Sequence, residues 1–250
     1  MMSRSHRHPL VRLFGAILLT SLVTSGVLAN DGTDSSERHM MLELRAGFFA
    51  PEIDDQFTVS TPYRDTFGAD PMASIGLAAD YQVWQGGGSL AIGGGVQYGW
   101  VTGKAKNQDG SDSTDDTTLH MAPLQLSLIY RFDYLALHHG IPLVPYVKAG
   151  ITAAVWWVTN AKDEIASGWS RDQLAKAAAG TESDEWRAAQ KPRTAAGITF
   201  GYHVSVGLQF LLDSLAEGMA ITFDEEMGVN NSYIFVEYSF NDLNDFYDPK

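Results

Sequence analysis

His203 and Ser205 stand two apart in the run Gly197-Ile-Thr-Phe-Gly-Tyr-His-Val-Ser-Val-Gly-Leu-Gln-Phe210. Imidazole beside hydroxyl is the pairing that activates a serine nucleophile, with histidine as base and a carboxylate to orient it. Glu217, Glu225 and Glu237 are candidate acids, none at a recognisable spacing. A second lead is Asp109, Asp112, Asp115 and Asp116, whose oxygens could take Ca²⁺. They lack the spaced ligands and closing Glu of a helix-loop-helix site, so a solvated acidic loop is the simpler reading. His138-His139 offers two adjacent imidazoles, short of the three or four ligands a zinc site needs.

The element that must position the first pair is the run itself. Ile198, Phe200, Tyr202, Val204, Val206, Leu208 and Phe210 alternate with Gly197, Thr199, Gly201, His203, Ser205, Gly207 and Gln209. That is a strand with one apolar and one small or polar face. In isolation it also fits an edge strand of a soluble sandwich. Soluble strands run about five or six residues, whereas this one has fourteen. At about 3.3 Å per residue and a tilt near 45°, it covers about 33 Å, close to a bilayer's hydrocarbon thickness. Apolar outside and polar inside is the pattern of a transmembrane barrel strand.

Six further stretches alternate in the same way: Met41–Phe49, Met72–Trp84, Ser89–Thr102, Thr118–Phe132, Val144–Val158 and Ser232–Phe240. Ala50–Pro71 and Gly103–Thr117 read as loops, Gln85–Gly88 as a tight turn, and Asp133–Leu143 as a short connection. Pro123 inside the fourth stretch predicts a bulge or an edge position. Within Thr159–Ala196, Ser170 with Gln173 and Thr181 with Asp184 predict two short helices ending by Pro192. A further short helix is expected around Asp213–Gly218.

Bacterial barrels have even strand numbers, and seven are visible. Either an eighth lies beyond this chain or Met219–Phe223 supplies it; direct closure would pair the first and seventh strands parallel.

Met1–Ala29 reads as a signal peptide: Arg4, Arg7 and Arg12 begin it, Leu13–Val23 is its apolar centre, and Val27-Leu28-Ala29 its cleavage site. Residues 30–250 are then the mature barrel domain. Taking the three arginines from the 17 basic residues leaves 14 against 30 acidic, a net charge of −16. Such a surface argues against nucleic acid as a partner. With no cysteine, neither disulfides nor thiolate metal sites are available.

Two patterns favour a membrane barrel over a soluble one. Connections alternate long and short, as outer loops and inner turns do. Aromatics also sort by strand end: Phe48, Phe49, Tyr98, Trp100, Trp156 and Trp157 at one, Tyr81, Trp84, Tyr130, Tyr134 and Phe210 at the other. Two such girdles match the two interfaces where amphipathic rings prefer to sit.

In this frame His203 and Ser205 face the lumen, where an ester would not reach, and a satisfied hydrogen-bond pair is the preferred reading. Glu43, Arg45, Lys148 and Glu237 also face inward and are expected to form an ion-pair network, since buried charges need partners. An interior of about eight strands is just filled by side chains, which argues against an open pore.

Leu44-Arg-Ala-Gly-Phe48, Ala50-Pro-Glu-Ile-Asp54, Pro123-Leu-Gln-Leu126, Pro145-Tyr-Val-Lys-Ala-Gly150 and the run Gly228–Tyr238 resemble a family of outer-membrane β-barrel proteins described mainly from myxobacteria. The resemblance implies a small eight-stranded barrel without assigned activity, whose members continue past the region of Asn241 into a last strand ending in an aromatic. The His-x-Ser pair, separately, looks like the arrangement of lipid A deacylase barrels.

The expectation is therefore an all-β, antiparallel up-and-down transmembrane barrel in a Gram-negative outer membrane. It is expected to be non-enzymatic, with a filled lumen, acidic outer loops, and a structural or surface-interaction role. No catalytic, cofactor or metal residues are assigned. The implied partners are the bilayer, its lipopolysaccharide, and the barrel assembly machinery during biogenesis. Alternatives are a lipid-modifying barrel enzyme using His203 and Ser205, and a soluble periplasmic lipid-binding barrel with its faces reversed.

Overall fold

The computed structural model describes residues 12–24, 40–56, 61–106, 111–168, 193–212 and 229–244. Seven long strands form one curled antiparallel sheet: β2 (Met40–Pro51), β3 (Met72–Gln85), β4 (Ser89–Lys106), β5 (Asp112–Arg131), β6 (Leu143–Thr159), β9 (Ala196–Leu211) and β10 (Val229–Leu243). Each pairs with the next along the chain, as the seven alternating stretches predict. A further strand, β1 (Arg12–Thr24), lies antiparallel between β10 and β2 and completes a closed order. The parallel contact considered for a seven-strand closure therefore does not arise. β1 belongs to the segment read as a signal peptide. It occupies backbone donors and acceptors that β2 and β10 would otherwise leave open at their edges.

The pleat sorts the two faces as alternation dictates. Val204, Val206 and Leu208 are exposed on the outer wall, while His203 is 1% and Gln209 0% exposed in the interior. The same sorting holds for Leu42 and Leu44 against Glu43 and Arg45, and for Ile75 and Leu77 against Ser74. The reversed sorting, with the apolar set inward and the polar set outward, is not the one these strands have.

Three expectations need correction. Gly103–Thr117 is not all loop: β4 and β5 continue as a polar hairpin in which Lys104 pairs with Asp116 and Lys106 with Asp112. Pro123 is neither a bulge nor at an edge, for β5 is flanked on both sides. The register before and after it is unchanged, and only the rungs opposite Gln97 and Tyr98 are missing, because proline has no N–H to donate. Ala50–Pro71 is not structureless either: a 3₁₀ turn (Ile53–Gln56) and α1 (Pro62–Phe67) fold there.

The other end of the barrel carries α2 (Tyr134–His139), closed by Gly140 in the left-handed conformation. A two-residue pair, β7 (Ser167–Gly168) with β8 (Arg193–Thr194), extends the β6–β9 connection. The helices expected in 170–192 and 213–218, and the alternative strand Met219–Phe223, lie outside the described residues.

Candidate functional site: a lumen in storeys

Inward side chains stack in layers, because each antiparallel pair places its partners at the same height. The middle storey is ionic. Lys148 Nζ lies 2.9 Å from Glu43 Oε2 and 3.0 Å from Glu237 Oε2. Arg45 bonds Glu43 and reaches Glu237 Oε1 at 3.2 Å. All four residues expected to form the network are therefore joined in it.

The network is larger than the sequence suggested. Arg131 donates to both oxygens of Asp80 and lies 3.6 Å from Glu43. Tyr146 donates its hydroxyl to Glu237 Oε2 at 2.9 Å. Asp80 and Arg131 are nevertheless legible in the sequence, since Asp80 follows Ser74, Gly76 and Ala78 and Arg131 follows Gln125 and Ser127 on the inward alternation. Three carboxylates face three cations here, so the buried charge is neutral. Neutrality and mutual hydrogen bonding are what make buried charge tolerable.

Toward the loop end the storey turns to hydroxyls. Ser205 and Ser239 are 2.6 Å apart, and Ser239 donates to Glu237 at 3.1 Å. His203 has its Nε2 at 2.9 Å from Ser127 Oγ and its Nδ1 at 2.9 Å from Thr152 Oγ1. Both imidazole nitrogens are thus engaged, and neither partner is Ser205. The nucleophile–base contact that acyl transfer requires is absent from this pair. Of the candidate acids, Glu237 serves the ionic storey; Glu217 and Glu225 lie outside the described residues.

Apolar storeys close both ends. At the turn end Met41, Val144 and Tyr233 pack together, covered by Ala136 of α2 and by Leu211. At the loop end, Tyr63 and Phe67 of α1 and Ile53 of the 3₁₀ turn press on Phe49, Met72, Val101, Leu119 and Met121. This cork is held by Asp54, whose carboxylate accepts the N–H groups of Tyr63 at 2.7 Å and Arg64 at 2.9 Å. These are orphan donors of a helix start, met by a side chain from outside the helix. Tyr63 donates to the carbonyl of Asp70 at 3.1 Å. Burial, reinforced by the negative charges of Asp70 and Asp54, pushes its phenol up to about 12. Gly103 lets the helix sit close: a Cβ there would meet the Thr66 carbonyl oxygen. The cork was not anticipated from sequence, because its apolar residues follow neither a strand nor a long-helix period.

The remaining leads are not brought together. His138 stacks on Tyr134 of its own helix, centroids 4.3 Å apart, with Nδ1 3.1 Å from the Tyr134 carbonyl oxygen. Asp112 and Asp116 oppose lysines in the hairpin register, and Asp109 lies outside the described residues. Among the described residues no group of three His, Cys, Asp or Glu side chains is placed to hold a metal ion.

No family model matches the chain, and no curated protein matches its sequence.

Proposed function

We propose that the chain is an outer-membrane β-barrel with a filled, non-conducting and non-catalytic lumen, serving the cell envelope as a structural or surface-interaction protein. One observation carries the reading: on each of the seven long strands from β2 to β10 the outer wall shows exposed apolar side chains over a buried ionic interior. Leu77 at 60%, Ile198 at 57%, Leu126 at 55% and Ile151 at 54% exposed lie on four different strands. A surface of that extent in water would be a strong aggregation liability, whereas lipid tails would cover it.

The likeness to the myxobacterial-type barrels supports the same reading. So does the leader-like Met1–Ala29, which would export the chain to the periplasm for insertion by the barrel assembly machinery. The polar hairpin of β4 and β5 and the acidic residues around it would then stand outside, among lipopolysaccharide headgroups. Flotation with lipid vesicles, together with heat-modifiable gel migration, tests the proposal. A chain that stays in the aqueous fraction and migrates identically boiled and unboiled would defeat it.

A further inference from the structure

Four rings on the outer wall lie nearly flat against one another. Tyr98 and Trp100 diverge by 26°, Tyr98 and His120 by 17°, and His120 and Trp157 by 12°, with centroids 5.1–5.9 Å apart. The register builds the row, since Trp100, His120 and Trp157 are cross-strand partners on β4, β5 and β6. The imidazole is fixed on both sides, with Nδ1 2.7 Å from the Tyr98 hydroxyl and Nε2 3.1 Å from Thr159 Oγ1.

Polar groups border the platform. After β6 the chain turns back through Asn160, whose side-chain oxygen accepts the N–H groups of Lys162 and Glu164. Asp163 sits in that turn at φ 59°, left-handed backbone for a side-chain-bearing residue. Its N–H donates to the Asn160 carbonyl at 3.0 Å, which holds it beside the end of β6. Thr102 and Thr118, paired hydroxyl to hydroxyl at 2.9 Å, stand exposed in the next row.

Anchoring in a headgroup region does not require this arrangement. At the other girdle Tyr130 and Phe132 meet edge-on at 78°, and Tyr134 stacks on its own helix.

We propose that the Tyr98–His120–Trp157 platform binds the uncharged sugar headgroup of a membrane glycolipid. The inference rests on the membrane reading above and deepens it. A pyranose presents polarised C–H bonds that suit the negative face of an aromatic ring. Its hydroxyls need a few placed polar groups at the rim, which Asp163, Asn160 and the threonine pair supply. Below the platform, exposed Val96 and Leu124 lead down the wall and offer a path for the lipid tails. Around it Asp116 stands opposite Lys104 and Asp163 follows Lys162, so the local charges are mixed, while the net charge of −13 over the chain weighs against a phosphate headgroup and toward a neutral sugar.

The test uses the full chain in phosphatidylcholine vesicles containing monoglucosyl diacylglycerol, with native mass spectrometry of the lipids that remain bound. The expected result is glycolipid enrichment over phosphatidylcholine of about fivefold, the equivalent of one ring contact at about 1 kcal/mol. Trp157→Ala is expected to abolish it. His120→Gln, which keeps hydrogen-bonding capacity but removes the ring, is expected to reduce it, and Trp84→Ala at the opposite girdle to leave it unchanged. No enrichment in the parent, or equal enrichment in both platform variants, overturns the inference. Displacement of the glycolipid by free methyl glucoside at similar concentration also overturns it, because the ligand would then be a soluble sugar. Failure of the chain to float with vesicles defeats the membrane reading and the inference together; flotation without enrichment defeats the inference alone.

Discussion

Arg131 grips Asp80 with two parallel hydrogen bonds, Nη1 to Oδ1 at 3.0 Å and Nη2 to Oδ2 at 2.6 Å. The two belong to β5 and β3, and on the intervening strand β4 Gly93 stands opposite Asp80. A Cβ at Gly93 would stand 2.6 Å from the Asp80 Cβ. The missing side chain at Gly93 therefore leaves the room that the buried Asp80 occupies.

Removing one partner leaves an uncompensated charge in a dry interior. Asp80→Ala is expected to cost about 3–5 kcal/mol of unfolding free energy. Replacing both by leucine is expected to cost far less, because the ionic desolvation then disappears with the attraction. Denaturant unfolding in detergent micelles, run as a double-mutant cycle, measures both. Equal losses for the single and double variants would show that the pair's charge is unimportant.

The cork is expected to be the first part of the fold to yield. Asp54→Ala removes the acceptor of two α1 donors and is expected to cost about 0.5–2 kcal/mol locally, with little effect on the sheet. Limited proteolysis should then cut between β2 and β3 faster than in the parent, while heat-modifiable migration is retained. Unchanged cleavage would mean that apolar packing alone holds the helix.

Tyr63 gives a pH signature. Its phenol is pushed up to about 12 in the folded chain, against about 10 in an unfolded one. Between those values the unfolded chain releases the proton first, so rising pH favours unfolding. The contribution is fully present below about pH 10 and fades toward about pH 12. Absorbance titration of the parent minus Tyr63→Phe should show one phenol ionising late. A difference step near pH 10 would refute its burial.

Ser205→Ala is expected to leave the lipid A profile of cells unchanged, since Ser205 faces Ser239 at 2.6 Å and His203 is bonded to Ser127 and Thr152 instead. Mass spectrometry of extracted lipid A reads this directly. A lost modification in the variant, with the barrel still folded, would restore the enzyme reading.

Much of the barrel was legible because strands with one apolar and one small or polar face must alternate, and a period of two survives even where glycine replaces a large residue. Val204 and His203 could be assigned to opposite faces without coordinates. The polar hairpin at Lys104 and Asp116 was not legible for the converse reason. With water on both faces, nothing enforces alternation, so a paired strand reads as loop. The ionic storey was half legible: Glu43 and Lys148 stand out amid small residues, but cross-strand geometry decides that Arg131 reaches Glu43 and brings Asp80 with it. The cork was hidden, since Tyr63 and Phe67 gain their meaning only from the ring of Phe49, Met72 and Leu119 they cover.

The closing strand β1 is where sequence and architecture pull apart. Leu13-Phe-Gly-Ala-Ile-Leu-Leu19 is apolar at both alternate sets of positions, unlike the seven other strands. Its register nevertheless sets Ile17 level with Glu237 and Gly47, and Leu19 level with Phe235. A leader is selected for continuous apolarity, and that composition also suffices to satisfy the backbone edges of β2 and β10. If the leader reading holds, the intact mass of protein extracted from outer membranes begins at Asn30, and another strand must cover those edges. A mass retaining Met1–Ala29 would instead make this segment a permanent wall of the barrel. Deleting it would then abolish heat-modifiable migration even when export is supplied by a different leader.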